Sequence, residues 1–219
     1  ASMPSALGGR ADGRALARAG STDAARALAA RSLTRVGIPD AVARLDAYPH
    51  EFSGGMRQRV AIAIALLHEP ELIIADEPTT ALDVSIQAQI LAEMKALAKE
   101  SGTALIWISH DLATVSALAD RVMVMYAGRI VERGTVAEVL RAPIHPYTRG
   151  LLDSLPALAA PGEKLAQIPG SAPSLLALPP GCPFAPRCPR ASEACRADPP
   201  LVGDARHGAL CHHPLEVAA

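Results

Sequence analysis

Asp76 and Glu77 stand directly after a short apolar run, Leu72–Ile73–Ile74–Ala75. In an open parallel sheet, ligands bind beyond the carboxyl ends of the strands. Two adjacent acids there can divide the work of nucleoside triphosphate hydrolysis, one poised for Mg2+ and one for water. Neighbouring side chains on an extended chain point to opposite sides, so the two need not compete for one ligand. His110 directly follows a second apolar run, Ala104–Ser109, which places it at the same edge, within reach of a terminal phosphate. Ser53–Gly54–Gly55 opens a third feature. A helix starting there presents unpaired N–H groups and the positive end of its dipole, and glycines let an anion approach the backbone. Each feature alone has an ordinary counterpart: a solvated turn, a structural histidine, a flexible cap. Their order and spacing carry the weight.

A second set of chemistry-bearing residues lies near the end. Cys182, Cys188, Cys195 and Cys211 form a C-x5-C-x6-C-x15-C pattern, and Pro183, Pro186 and Pro189 stiffen its first loop. The spacing matches neither the usual zinc pairs nor the bacterial ferredoxin run. Nothing at the N-terminus resembles a signal peptide, so the expected compartment is the cytosol. Thiols stay reduced there, which favours one metal or redox site over disulfides. His207, His212 and His213 read as solvated loop residues, with ligation as the alternative.

The elements that must position these residues can be read from local pattern. Ser21–Thr22–Asp23 offers a cap, and Ala24–Val36 reads as an amphipathic helix ending at Gly37. Ser53 caps a helix whose Val60–Leu67 stretch is apolar on every side, predicting burial all round, and Pro70 ends it. Leu72–Ala75 and Ala104–Ser109 read as strands buried on both faces. Val84–Lys99 has helical spacing and Gly102 comes after its end; Asp111–Ala119 reads as a short helix. Val122–Tyr126 and Arg129–Glu132 read as a hairpin turned at Ala127–Gly128. Strand–helix–strand alternation predicts an α/β layer with a mainly parallel sheet.

Composition sets limits. The chain has 219 residues, half of them hydrophobic and a fifth charged, which excludes a disordered tail. A formal net charge of −1 supplies no global field for nucleic acid. No apolar run reaches the length of a membrane span. Residues 1–35 are locally basic, and most of the 19 prolines lie beyond Arg141 with all the cysteines. The predicted organisation is therefore a main domain over 1–140 and a loop-rich appendage over 141–219.

Taken together, the blocks are Tyr48–Pro49–His50–Glu51–Phe52–Ser53–Gly54–Gly55–Met56–Arg57–Gln58–Arg59, Leu72–Asp83 and Ile106–Asp111. In that order they resemble the ATP-binding cassette ATPases. FSGGM resembles the signature motif, LIIADE the Walker B strand, Ala81–Leu82–Asp83 the D-loop and His110 the switch histidine. Phe52 and Met56 depart from the commonest LSGGQ form. YPHEFSGGMRQR and ADEPTTALDVSIQAQIL, with His145–Pro146–Tyr147–Thr148–Arg149 and the Pro/Cys segment, resemble the D-type ATPase subunit of dipeptide and oligopeptide importers.

The resemblance implies a partial P-loop NTPase fold: a helical signature subdomain over about 1–68, a Walker B, D-loop and switch part over about 69–140, and the importer extension after it. It implies ATP and Mg2+ as ligands, with Asp76 on Mg2+, Glu77 on the attacking water and His110 on the γ-phosphate. Ser53, Gly54, Gly55 and Met56 would face the ATP of a partner, and Asp83 would link two sites across the interface. It further implies an F-type ATPase subunit or a second copy as partner, two permeases, a solute-binding protein acting indirectly, no nucleic acid, and a place on the cytoplasmic face of a bacterial inner membrane. Some members carry a [4Fe–4S] cluster on matching cysteines, which here would be Cys182, Cys188, Cys195 and Cys211; zinc and free thiols are the alternatives.

One part of the pattern is missing. A phosphate-binding loop needs G-x-x-x-x-G-K-[ST], and the chain has no Gly–Lys pair; its lysines are Lys95, Lys99 and Lys164. No glutamine precedes Gln58, and Met3–Leu7 bears a faint likeness to the family's segment just after the Q-loop glutamine. The expectation is a chain that corresponds to the C-terminal part of a longer subunit and does not hydrolyse ATP alone. The alternative function is a catalytically silent interaction module or remnant that only supplies its signature motif to a partner subunit's ATP.

Overall fold

The computed structural model describes residues 22–79, 83–155 and 166–216. The Met3–Leu7 stretch, the Ser21 cap and Ala81–Leu82 of the D-loop lie outside them. The chain forms two compact units that divide between Leu118 and Ala119.

In the first unit, α1 (Thr22–Arg35) carries Asp23 in its first turn and Arg35 in its last, which suits the helix dipole. A short α2 (Ala41–Arg44) and a 3-10 turn (Pro49–Glu51) lead to α3 (Gly54–Leu66). Then come β1 (Leu72–Asp76), α4 (Val84–Ser101), β2 (Ala104–Ile108) and α5 (Leu112–Leu118). Gly102 ends α4 in the left-handed conformation, as its position after the apolar period predicts. The core joins Leu33, Val36 and Ile38 to Phe52, Val60, Ala63, Ile90 and Met94, with Ile73, Leu105 and Trp107 packed on it.

β1 and β2 pair in parallel, Asp76 lying opposite Ile108. Both strands alternate between exposed and half-buried residues. Leu72, Ile74, Ile106 and Ile108 are all exposed, so the expectation of strands buried on both faces is corrected. A parallel strand is buried twice only when helices cover both faces of its sheet, and the described residues cover one. α3 is likewise not buried all round, because Ile64 and Ala65 face solvent.

The second unit holds a four-stranded antiparallel sheet in the order β3 (Arg121–Tyr126), β4 (Arg129–Thr135), β6 (Gly208–Leu210), β5 (Leu201–Gly203). The expected hairpin forms: Tyr126 pairs with Arg129 across Ala127 and Gly128, both at positive φ. Among the described residues β1–β2, joined by α4, is the one parallel pair, as the strand–helix–strand alternation predicts, while the hairpin belongs to a separate antiparallel sheet. The sequence boundary after residue 140 differs from the packing boundary because β4 pairs with β6, which belongs to the cysteine-rich segment. α6 (Val136–Arg141) starts with a reciprocal Thr135–Glu138 capping box, and α7 (Pro146–Asp153) starts on the side chain of His145. Among the described residues, no helix is long and apolar enough to cross a membrane.

Candidate functional site

The parallel pair sets one site. Its ladder runs one residue past β1, the Glu77 N–H donating to the Ile108 carbonyl at 3.0 Å. Glu77 then takes a left-handed φ of 46°. That conformation is strained for a residue with a Cβ and is found at sites where geometry matters more than local comfort. It accompanies a carboxylate that reaches the end of β2. Glu77 Oε1 accepts the His110 backbone N–H at 3.1 Å and meets His110 Nδ1 at 2.7 Å. An ionised carboxylate only accepts, so Nδ1 carries the proton. The hydrogen bond, and then the charge of Glu77, raise the His110 pKa above its ordinary value. Asp76 ends β1 exposed to solvent, one residue before this pair. Three of the residues expected at the carboxyl edge therefore stand together there.

A polar network not anticipated from the sequence braces this edge from behind. Gln87 of α4 donates to Thr79 Oγ1 at 3.1 Å and to Thr114 Oγ1 at 2.9 Å. Thr114 donates in turn to Asp111 Oδ2 at 2.6 Å. That hydrogen bond leads the causes that hold the Asp111 carboxyl below its usual range. Thr79 lies two residues after Glu77 and Asp111 one after His110, and both threonines are buried. Gln87 thus ties the segments that come after Glu77 and His110. A half-buried glutamine on a helix gives no periodic signal that would have revealed it. Asp83 takes the N-cap position of α4, exposed and with no side-chain capping bond.

The second cluster is the start of α3. Ser53 caps it, Oγ accepting the Met56 N–H at 3.3 Å. Ser53 and Gly54 are exposed, while Gly55 and Met56 are half-buried. A Cβ at Gly55 would come within 2.7 Å of Ile86 Cγ2 on α4. Close packing of α3 against α4 therefore demands this glycine whatever else it does. Arg59, one turn on, is buried and fixes the helix at depth: Nη1 donates to the Val36 and Gly37 carbonyls at 3.1 and 3.3 Å, and Nη2 meets Glu93 Oε1 at 2.9 Å. Phe52 is buried, and Arg57 donates to its carbonyl at 2.9 Å.

The four cysteines share a cavity in the second unit. Cys182, Cys188, Cys195 and Cys211 line it with His145, Phe184, His212 and His213. Gly181 allows the closure: its φ is 74°, and a Cβ there would stand 2.4 Å from the Cys195 carbonyl oxygen. The Cys182 N–H then donates to that same oxygen at 2.9 Å. All four thiols are free. Burial raises the pKa of Cys182 and Cys188 and pushes Cys211 up to about 11. The expected metal set is only partly assembled. The donors converge on one cavity, yet among the described residues no three His, Cys, Asp or Glu side chains are grouped so as to hold a metal ion. His212 Nε2 is bonded to the Ala197 carbonyl, His213 Nε2 to Ser192 Oγ and His207 Nε2 to Glu132, so each is engaged through that nitrogen. Glu132 itself is fully buried and accepts the Ile144 and His145 N–H groups at 2.8 and 2.9 Å. The sequence pattern did not mark His145 as a site residue. Burial lowers its pKa to about 4, so its ring is neutral.

Comparison with known proteins bears on both units. Residues 10–80 match the ABC transporter family, and residues 131–195 match the C-terminal region of oligopeptide/dipeptide transporters. Over these two stretches the chain is similar to the oligopeptide/dipeptide branch of the ATP-binding cassette ATPases. It is 56% identical over 171 residues to the oligopeptide transport ATP-binding protein of Escherichia coli K12, covering 78% of this chain and 51% of that one. A peptide import ATP-binding protein of Brucella ovis is 57% identical over 195 residues, covering 85% and 58%. The dipeptide transport ATP-binding protein of E. coli K12 is 50% identical over 189 residues, with the same coverage. The chain thus spans about half the length of the curated relatives it matches. A solved dimeric cassette, in a post-hydrolysis state bound to ADP and Pi, is 29% identical with a TM-score of 0.47, covering 53% of this chain and 49% of that one.

Proposed function

We propose that the chain supplies the signature helix, the Walker B acids and the switch histidine of an ATPase that energises uptake of di- or oligopeptides. The observation that carries this reading is the Glu77–His110 contact at 2.7 Å across the end of the parallel pair. Glu77 is held where it can orient a water and take its proton, and His110 is exposed beside it, able to meet phosphate charge. Asp76 would hold Mg2+, whose chemistry is to neutralise phosphate charge. Exposed Ser53 and Gly54, with half-buried Gly55 and Met56, form a helix N-terminus that suits the γ-phosphate of an ATP bound on a partner. Donors of that kind are worth about 3–4 kcal/mol each in a dry transition state. Asp83 would lie at the same boundary.

In this reading the N-terminus of α3 acts on ATP held by the phosphate-binding loop of another subunit. An F-type ATPase subunit fills that place in this reading, with two permeases anchoring the pair at the cytoplasmic face of the membrane. The test mixes the purified chain with such a subunit and follows phosphate release. The expected result is negligible release by the chain alone, stimulation on mixing, and loss of the stimulation with Ser53→Arg. Equal stimulation by wild type and variant would overturn the trans role. Stimulation that survives Glu77→Gln but not Ser53→Arg would favour the silent module that only lends its signature motif.

The cysteines add a second part to the proposal. Cys182, Cys188, Cys195 and Cys211 would hold a soft metal centre, a [4Fe–4S] cluster by resemblance to the importer group, with zinc as the other occupant that suits thiolates. Four free thiols on one cavity support it. Binding would draw the four closer and staple a segment rich in loops and poor in core.

A further inference from the structure

His145 has one ring nitrogen committed and one without a partner. Nδ1 accepts the Tyr147 N–H at 3.0 Å, which caps α7. An acceptor nitrogen in a neutral imidazole leaves the proton on the other, so Nε2 is an N–H donor. The residue is 1% exposed, and among the described residues Nε2 has no hydrogen-bond partner. A buried donor left unmade costs about 1–3 kcal/mol, which a fold does not carry without return. His145 also lines the cavity of the four cysteines. Two other histidines on that cavity, His212 and His213, have their Nε2 atoms bonded away from the thiols.

The ring cannot swing aside to find water. Its backbone N–H is held by Glu132, and Pro146 comes next at the start of α7. Phe184 packs against the ring at a centroid distance of 5.9 Å. The donor is therefore built into place rather than left over from a mobile loop.

We propose that His145 Nε2–H is the hydrogen-bond donor to negatively charged sulfur held in this cavity, positioning and stabilising the thiolates of a bound soft metal centre. This rests on the reading of the cysteines given above. Outer partners of this kind fix ligand orientation, and losing one costs about 10–100-fold in metal affinity. The cap and the donor belong to two atoms of one ring, which also gives a physical reason for a histidine before proline at this point.

The test uses the full chain and the variant His145→Asn. Asparagine can keep an acceptor for the Tyr147 N–H, while its shorter side chain withdraws the donor from the cavity. Both proteins are loaded anaerobically with ferric iron, sulfide and excess thiol reductant, and separately with zinc. Metal per chain, visible absorption and the rate of metal loss to a chelator are then measured. The expected result is a metal-loss rate at least about tenfold faster in His145→Asn, with the thermal midpoint of the metal-free protein unchanged or higher. A structural role would lower the metal-free midpoint as well, so that outcome overturns the assignment. Equal loss rates in wild type and variant overturn it too, while leaving the metal centre intact. A wild-type chain that takes up neither metal overturns the cysteine reading and this donor with it.

Discussion

Glu77 and His110 illustrate how one backbone dihedral can set the geometry of a side-chain pair. The left-handed turn at Glu77 and its N–H bond to Ile108 leave little freedom in where the carboxylate lies. Oε1 then takes two donors from one residue, a backbone N–H and a ring nitrogen. The consequence is electrostatic: His110 holds its proton to higher pH than an isolated histidine. The folded pKa is raised, so the contact favours the fold fully below the ordinary value near 6.5, and that contribution fades as pH rises through the folded pKa. In an NMR titration His110 is expected to have its midpoint above 6.5, and Glu77→Gln is expected to bring it back towards 6.5. A midpoint unmoved by the substitution would mean that the pair does not persist in solution. His145 is the opposite case: burial drives its pKa down to about 4, and its ring stays neutral throughout the range in which His110 titrates.

At the scale of elements, α3 is positioned from three sides: Ser53 caps it, Gly55 seats it on α4, and Arg59 locks it to the end of α1 and to Glu93. Gly55→Ala should therefore act through packing. The added methyl meets a branched Ile86 carbon at 2.7 Å, and overpacking of this kind costs about 1–3 kcal/mol against a helix-propensity gain of up to about 1. Net destabilisation of about 1 kcal/mol is expected in urea unfolding, largely relieved when Ile86→Ala is added. Additive losses in the double variant would place the strain elsewhere. Sequence pattern revealed this helix well, because a serine cap before an apolar run is a local signal. It revealed the edge of β1 and β2 for the same reason. It misjudged burial, since an apolar run reads alike whether one or two faces are covered. It passed over Gln87, whose role arises from a hydrogen bond to Thr114, 27 residues away in sequence, and His145, which lines a cavity with cysteines that begin 37 residues further on. It also missed β5 and β6, three residues each, which are too short to show a period.

At the scale of the whole chain, the parallel pair that the described residues cover on one face sets the behaviour to expect. Leu72 and Ile74 on β1, with Ile106 and Ile108 on β2, lie on one face of the parallel pair, and all are exposed, Ile74 by 62%. The other face, with Ile73, Leu105 and Trp107, packs on the core of the first unit. At about 25 cal/mol per Å² an apolar face of this kind gains appreciably by burial against any apolar surface, and a second copy is the surface always at hand. The isolated 219-residue chain is therefore expected to self-associate as concentration rises. Replacing Ile74 and Ile106 by threonine keeps the β-branched shape that strands favour while making the face polar. Both side chains point away from the core, so the thermal midpoint should fall by only a few degrees, about 1 kcal/mol or less. Light scattering should show the self-association much reduced. Unchanged scattering by the double variant would move the cause to the unpaired strand edges, where side-chain polarity has little effect and backbone N–H and C=O groups do the joining.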